Sequence, residues 1–422
     1  MAVKNQKKEV LVFAHWLGLE EPTLMGVLHV TPVKGTEIFS FEYEKSWLES
    51  GNSQEIDPEL KMYPGHQYST EEKINFGVFL DSSPDRWGRV LMKRREAAMA
   101  KKEKRPAKNL LESDYLLGVY DGHRMGALRF KLEPDGAFLD DNKKNPAPQW
   151  ASIRELEHAS LQLEKEDIIG DPDYIKWLNM LISPGASLGG ARPKASIVDN
   201  DGNLWIAKFP SRNDIKDIGA WEAVVHDLAI KSGINMADIQ VKKFTNKYHT
   251  FLTKRFDRTI KGERIHFASA MTLLGYTDGT DHHAGASYIE LAEFIAQNGA
   301  RVEEDLLELW KRIVFSICIT NTDDHLRNHG FLLTEKGWVL SPAYDVNPIE
   351  DGTGLTLNIS EDDNSLNVDL ALQVAPYFRL SKETAKNIIS EIQSVVITWK
   401  DVAKQYGISN AEQEMMSSAF KV

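Results

Sequence analysis

Ile317-Cys318-Ile319-Thr320-Asn321-Thr322-Asp323-Asp324-His325-Leu326-Arg327-Asn328-His329-Gly330-Phe331-Leu332-Leu333 holds the pattern that sets the fold of this chain. An apolar run with helical spacing, beginning near Glu303, ends in a polar loop, and the loop enters an apolar strand. Asp323 and Asn328 stand five positions apart in that loop. A further acid follows in Leu340-Ser341-Pro342-Ala343-Tyr344-Asp345-Val346-Asn347, after a turn around Lys336-Gly337. Two carboxylates and a carboxamide are hard oxygen donors, and they suit Mg²⁺, which prefers oxygen ligands and keeps part of its water. Each residue alone also has an ordinary structural role open to it. Asp323 or Asp324 can cap a turn, Asn328 can occupy a left-handed bend, and Asp345 can bond to its own loop.

Upstream, Ser183-Pro184-Gly185-Ala186-Ser187-Leu188-Gly189-Gly190-Ala191-Arg192-Pro193-Lys194 gathers glycines, small residues and two cations in one loop. Such a loop brings backbone N–H groups close to phosphate oxygens, with Arg192 and Lys194 adding charge, although it is also an ordinary turn composition. It fits neither the Gly-Lys-Ser/Thr phosphate loop nor the Gly-x-Gly-x-x-Gly dinucleotide pattern. Two strand-like runs follow, 194–198 and 204–209, joined by Asp199-Asn200-Asp201-Gly202-Asn203, which predicts a tight hairpin. Lys208 is a cation in the mostly apolar second strand. Its burial requires an anion, either a nucleotide phosphate or Glu222 on the following helix, whereas at a strand end it can also snorkel to the surface. A glycine loop, a hairpin, a strand lysine and a helix glutamate occur in this order in the upper lobe of protein kinases. The Asp323 to Asn328 spacing equals that between the catalytic aspartate and the metal-binding asparagine of the H-R-D-L-x-x-x-N pattern, and Asp345 matches the aspartate that holds Mg²⁺ on the nucleotide phosphates.

The rest of the chain frames this set. Residues 10–41 alternate β-rich runs with turns and predict a small sheet. Residues 76–89 lead into a helix through Met99, with Ser83 expected as its cap and Pro84 in its first turn. A strand pair is expected at 118–120 and 127–130 across Asp121-Gly122, and a main boundary in Asn142-Lys143-Lys144-Asn145-Pro146-Ala147-Pro148. Residues 152–164 read as an amphipathic helix with Ile153, Leu156, Ala159 and Leu163 on one side. Strands dominate 195–256, and helical patterns dominate from Ser287 onward. The expected fold is α+β, two-lobed and protein-kinase-like, with a small β-rich N-terminal subdomain and a mostly helical C-terminal lobe. The expected divisions are an N-terminal lobe at 1–145, a strand-rich ATP-binding region at 146–260 and a helical catalytic lobe at 261–422.

The net charge of −12 in 422 residues, with 42% hydrophobic content, describes a globular chain whose surface as a whole disfavours polyanions. Cys318, the only cysteine, cannot form an intrachain disulfide and suits a reducing cytosol. The charged first ten residues carry no secretory signal, and no stretch approaches the roughly 20 apolar residues that span a bilayer, so a cytoplasmic protein without membrane contact is expected. Lys93, Arg94, Arg95, Lys101, Lys102, Lys104, Arg105 and Lys108 form a basic segment. It reads as a solvated helix face or as a phosphate-binding or partner-binding patch.

The chain resembles the HipA toxins, bacterial kinases of toxin–antitoxin systems. The likeness runs from Phe76 to Arg89 through Ser187-Leu188-Gly189-Gly190-Ala191 and Arg255-Phe256-Asp257-Arg258 to Thr322-Asp323-Asp324-His325 and Tyr344-Asp345. The resemblance implies a protein serine/threonine kinase using ATP and Mg²⁺, with Asp323 as catalytic aspartate, Asn328 and Asp345 as metal ligands and Lys208 as the phosphate lysine. Gly189, Gly190, Ala191 and Lys194 would contact the nucleotide together with His325, and Lys254, Arg255 and Phe256 would form the hinge at adenine. Ser187 corresponds to a serine that some members autophosphorylate, which disables ATP binding. The implied substrates are aminoacyl-tRNA synthetases, glutamyl-tRNA synthetase among them, whose phosphorylation halts translation and favours dormancy. The implied partner is a HipB-like helix-turn-helix antitoxin, through which DNA is met.

Two departures from eukaryotic kinases stand out: Asn321-Thr322 precedes Asp323 in place of His-Arg, and Tyr344-Asp345-Val346 replaces Asp-Phe-Gly. Two other readings stay open, a catalytically silent antitoxin-binding co-repressor at operator DNA and a small-molecule kinase on a related fold. The Asp281-His282-His283 triplet invites a metal-phosphoesterase reading, but no further Asp and His clusters at matching spacing accompany it, and a loop between Gly279 and Gly285 fits it better.

Overall fold

A computed structural model describes residues 7–51, 53–141, 150–165, 171, 173–182, 192–244 and 247–421. The glycine loop with Ser187, Gly189, Gly190 and Ala191, and the boundary expected at 142–148, lie outside the described residues.

In chain order the strands are β1 (Lys8–Ala14), β2 (Thr23–Val33), β3 (Thr36–Tyr43), β4 (Gln67–Tyr68), β5 (Leu128–Lys131), β6 (Lys194–Val198) and β7 (Leu204–Lys208). They continue with β8 (Ile239–Lys242), β9 (Thr250–Lys254), β10 (Phe267–Ser269), β11 (Gly330–Thr334) and β12 (Gly337–Leu340). The chain divides into two compact units that interleave in sequence. One comprises Met1–Ala207 with Asp257–Thr277, the other Lys208–Phe256 with Asp278–Val422.

The first unit is built on a five-stranded sheet in the order β4-β3-β2-β1-β5. Alternation along β1 buries Val10, Val12 and Ala14, and β2 and β3 add Met25, Leu28, Val30, Phe39 and Phe41 to the same core. The β2–β3 hairpin closes on Lys34-Gly35, both with positive φ (43° and 90°), the geometry whose twist matches that of the flanking strands. The Ile153–Leu163 helix buries the predicted stripe of Ile153, Leu156, Ala159 and Leu163. The hairpin β6–β7 also forms, and its turn is tied by the Asp199 side chain, which accepts from the backbone N–H groups of Asp201 and Asn203 and from the Trp205 indole.

Two local expectations are corrected. The long helix runs Arg86–Lys102 and is capped by Asp85, which accepts from the Gly88 N–H at 2.8 Å. Ser83 instead donates back to the Phe79 carbonyl at the end of the short Gly77–Asp81 helix. The hairpin expected across Asp121-Gly122 is absent. Residues Glu112–Leu117 are helical, Asp121–His123 form a 3₁₀ turn, and β5 pairs with β1. The reason is Arg124, whose buried guanidinium donates to the carbonyls of Ser82, Leu116, Val119 and Leu139 and so satisfies backbone that a strand ladder would otherwise have to pair.

In the basic segment, charge is partly spent within the protein. Arg105 pairs with Glu96 and Glu103, Lys108 with Asp114, and Arg94 donates to the Leu163 carbonyl. Lys101, Lys102 and Lys104 are exposed.

The second unit holds the antiparallel pair β8–β9, the hairpin β11–β12 and two long buried helices, Ile218–Lys231 and Val302–Cys318. Trp221 of the first helix is fully buried against Trp399 and Phe420, which stack on each other with centroids 4.3 Å apart. Glu412 accepts from the Trp221 indole and the Asp217 N–H, and the Lys421 N–H reaches the Cys318 carbonyl at the end of the second helix. The residues after 398 thus hold both long helices. Among the described residues no helix is long and apolar enough to cross a membrane.

Candidate functional site

The Val302–Cys318 helix starts with Glu303, Glu304 and Asp305, acids that complement the positive end of its dipole. Asp305 also accepts from the Leu340 N–H and so pins β12 beside the helix. At the other end the helix stops in a Schellman motif: the Asn321 N–H bonds to the Ser316 carbonyl and the Thr320 N–H to that of Ile317. The left-handed residue of that motif is usually glycine, and here it is Thr320, at φ 51°. A β-branched residue in this region is strained by roughly 1–3 kcal/mol, and such strain gathers at sites of function.

The loop that follows is folded on itself. The His325 N–H bonds to the Asp323 carbonyl, the Asn328 N–H to that of His325, and the Asn328 carboxamide nitrogen donates to the Asp323 carbonyl at 3.0 Å. This last bond fixes the amide orientation, leaving Asn328 Oδ1 buried and without a hydrogen-bond partner. Asp324, which sequence reasoning gave no role beyond a possible cap, is the loop's inner anchor. It is buried, accepts from the Tyr288 hydroxyl at 2.7 Å, and lies 3.0 Å from His329 Nε2. Burial alone would raise its pKa, but His329 and the Tyr288 hydrogen bond outweigh burial and hold it below the usual range. Asp323 has the opposite character. Its side chain is exposed, yet the partial burial of its carboxylate and the nearby Asp345 and Asp324 charges push its pKa up, against the pull of His325.

The hairpin β11–β12 returns the chain to the same place. Ser341 N–H bonds to the Gly330 carbonyl, Ala343 bridges to Met236, and Asp345 then turns into the left-handed region at φ 57°. Its carboxylate accepts from Lys208 Nζ at 2.7 Å and from the Asn347 side chain at 3.3 Å. Lys208 Nζ also donates to Glu222 on the Ile218–Lys231 helix at 2.5 Å. Burial would depress the lysine's pKa, but the two carboxylates more than reverse this and keep it charged. Glu222 and Asp345 also line a small pocket whose other walls include Met236, Ile239, Phe251, Thr253 and Tyr344.

The structure therefore joins Lys208, Glu222 and Asp345 directly, and it gathers Asp323, His325 and Asn328 in one loop within reach of the Asp345 charge. Lys254 ends β9 with its N–H on the Asp238 carbonyl, Arg255 is buried, and Phe256 packs on Tyr344 with centroids 5.5 Å apart. The Tyr344 hydroxyl in turn donates to the Arg327 carbonyl, which links the 254–256 segment to the loop. Lys194 belongs to the first unit, where its buried ammonium lies 3.0 Å from the helix-capping Asp85 carboxylate. Asp324 and Asn347 had no assigned role in the sequence reading: the Asp324 bond to Tyr288 spans 36 positions, and Asn347 meets Asp345 within its own loop in a pattern that names no function. A buried carboxamide oxygen without a partner and the Asp345 carboxylate are both hard oxygen donors, so the chemistry of Asn328 and Asp345 fits Mg²⁺.

Fold and site together define an α+β protein of the protein-kinase-like class. The chain belongs to the HipA family: the HipA-like C-terminal domain matches residues 186–399, just over half of its length. It is 25% identical over 272 residues to the serine/threonine-protein kinase toxin HipA of Shewanella oneidensis, a match spanning 55% of this chain and 59% of that relative. A solved structure of HipA from Shewanella oneidensis MR-1, in complex with HipB and its operator DNA, superposes with a TM-score of 0.64 at 18% identity. That superposition covers 97% of this chain and 94% of the other, and it establishes a shared fold.

Proposed function

We propose that this chain is a HipA-type toxin kinase that transfers the γ-phosphate of ATP to a serine or threonine hydroxyl of a protein. The observation that carries the reading is the bridge from Lys208 to both Glu222 and Asp345, together with a buried Asn328 oxygen that has no partner in the Asp323 loop. Lys208, held charged by two carboxylates, is positioned to pair with nucleotide phosphates. Asp323, exposed at the loop surface, accepts the hydrogen bond of the incoming hydroxyl and aligns it for attack on the γ-phosphorus. Asn328 and Asp345 would hold Mg²⁺, which supplies charge neutralisation on the phosphates when bound. Asn347 and Lys208 keep the Asp345 carboxylate oriented, and the Asp324 clamp on Tyr288 and His329 keeps the loop from shifting. The small pocket beside Glu222 and Asp345 has Phe251 and Tyr344 in its walls, apolar surfaces suited to contact with a purine ring.

The kinase-toxin character of the relative, the partners in the HipA complex and the family resemblance extend the proposal. An aminoacyl-tRNA synthetase, such as glutamyl-tRNA synthetase, is the candidate substrate, with arrested translation and dormancy as outcome. A HipB-like helix-turn-helix antitoxin is the partner that carries the protein to DNA, and Ser187 is the candidate for autophosphorylation. The test is transfer from γ-labelled ATP in cell extract, followed by identification of the labelled protein. Labelling that is unchanged in Asp323→Asn would remove Asp323 from the mechanism, and absence of any labelling with wild-type protein would favour the silent co-repressor.

A further inference from the structure

The outer face of the five-stranded sheet, in the first unit, carries a constellation that the transfer chemistry does not use. His29 on β2 and Glu42 on β3 project from the solvent side, and His66 immediately precedes β4. The register brings them together: His29 faces Ser40, Val27 faces Glu42, and Phe41 faces Gln67, so Glu42 lies diagonal to His29 and beside His66. One nitrogen from each imidazole and one Glu42 oxygen all lie within 4.8 Å of one another.

We propose that His29, Glu42 and His66 form a binding site for a divalent transition cation of the zinc type. The orientation of the rings carries the proposal. Both imidazoles turn Nε2 toward Glu42, His29 at 4.0 Å and His66 at 3.7 Å. Both hold Nδ1 on an outer group instead: that of His29 lies 3.7 Å from the Glu9 carboxylate, and that of His66 lies 3.4 Å from the Ser40 hydroxyl. A proton on Nδ1 of His29, facing a carboxylate, leaves the Nε2 lone pair free. At 3.7 Å the Glu9 carboxylate is too far to accept a hydrogen bond, but its charge favours the N–H tautomer at Nδ1 and orients the ring as an outer group does around a ligating histidine. His29 Nε2 is shielded from solvent and has no hydrogen-bond partner, which is costly for a ring nitrogen that merely packs.

Chemistry selects the ion. Two imidazoles and one carboxylate are borderline donors, favoured by Zn²⁺ and its neighbours over Mg²⁺ or Ca²⁺. Ligand atoms about 2.0–2.2 Å from a tetrahedral centre sit about 3.4 Å apart, so small side-chain rotations close the present gaps. Glu42 and Glu9 together offset the dication's charge, and three protein ligands leave a fourth position for water. An ion there would tie β2, β3 and the segment entering β4.

The experiment uses the full chain, stripped of metal and titrated with ZnCl₂ by calorimetry and with CoCl₂ by visible absorption. The expected result is a micromolar or tighter site with the visible bands of four- or five-coordinate Co²⁺. His66→Ala, an exposed position whose loss leaves the fold intact, weakens it at least a hundredfold, as does His29→Ala. Glu9→Gln, which removes only the outer orienting group, weakens it about 10- to 100-fold while the Co²⁺ bands persist. The Asp281-His282-His283 cluster is a second group with metal-ligand spacing, so the His282→Ala, His283→Ala double variant must retain the site. No binding by the wild type, unchanged affinity in His66→Ala, or loss of the site in the double variant would each overturn the proposal.

Discussion

Asp323 and Lys208 make opposite demands on the molecule, and their variants separate them. Asp323 is exposed and holds nothing else in place, so Asp323→Asn is expected to lower phosphoryl transfer by about 10²- to 10⁴-fold with an unchanged melting temperature. Lys208 is buried between two carboxylates, and Lys208→Ala leaves Glu222 and Asp345 facing each other without a cation. Transfer should be lost, and stability should fall by roughly 3–5 kcal/mol in chemical denaturation, the cost of breaking a buried pair. The acid limb of activity follows from the raised Asp323 pKa. If Asp323 acts as the carboxylate, as proposed, kcat/KM falls as pH drops through that raised value, at higher pH than an ordinary aspartate would give. A profile whose acid limb is unmoved in Asp323→Asn would assign that limb to another group.

At the scale of elements, the loop that carries Asp323 and Asn328 is fixed by a strained helix stop and by a close packing partner. A Cβ on Gly352 would lie 2.5 Å from the Thr322 methyl and 2.6 Å from that of Thr320, both within the three residues before Asp323. Gly352→Ala must therefore push the loop, and we expect activity to fall at least tenfold with a loss of about 1–3 kcal/mol in stability. Unchanged kinetics in that variant would show that the loop yields without cost. This geometry also explains what the sequence could and could not reveal. The β6–β7 hairpin was legible because Asp199 serves its own turn, and the Asp323 to Asn328 loop was legible because its bonds are local. The expected hairpin at Asp121-Gly122 failed because Arg124 satisfies carbonyls at Ser82 and Leu139, far from the turn itself. The Lys208 pair with Glu222 followed from chain order, whereas its bond to Asp345 spans 137 positions and has no local signature.

At the scale of the whole molecule, acid sensitivity depends on His266, which is fully buried in the first unit with its pKa pushed down by burial to about 3. The unfolded chain takes up the proton near pH 6.5 while the folded one does not, so this contribution is complete above 6.5 and is lost as pH falls toward 3. Between neutral pH and pH 5 it removes about 2 kcal/mol. Asp57, buried with its carboxyl raised to about 6, acts in the opposite direction over the same window. The signature is therefore a difference: wild type should lose about 2 kcal/mol more than His266→Leu between pH 7 and pH 5 in denaturant titrations. Equal losses would mean that His266 protonates without unfolding.

Trp399 and Phe420 clasp Trp221, the neighbour of Glu222, and Lys421 ties back to the helix that launches the catalytic loop. A nascent chain emerging from the ribosome thus carries every residue named for chemistry well before it owns the wedge that seats them. Translation at roughly 5–20 residues per second leaves an interval of seconds between the emergence of Asp345 and that of Phe420. Until Trp399 and Phe420 have been added, the helix that carries Glu222 lacks these packing partners, and the Lys208 to Glu222 bridge is without that support.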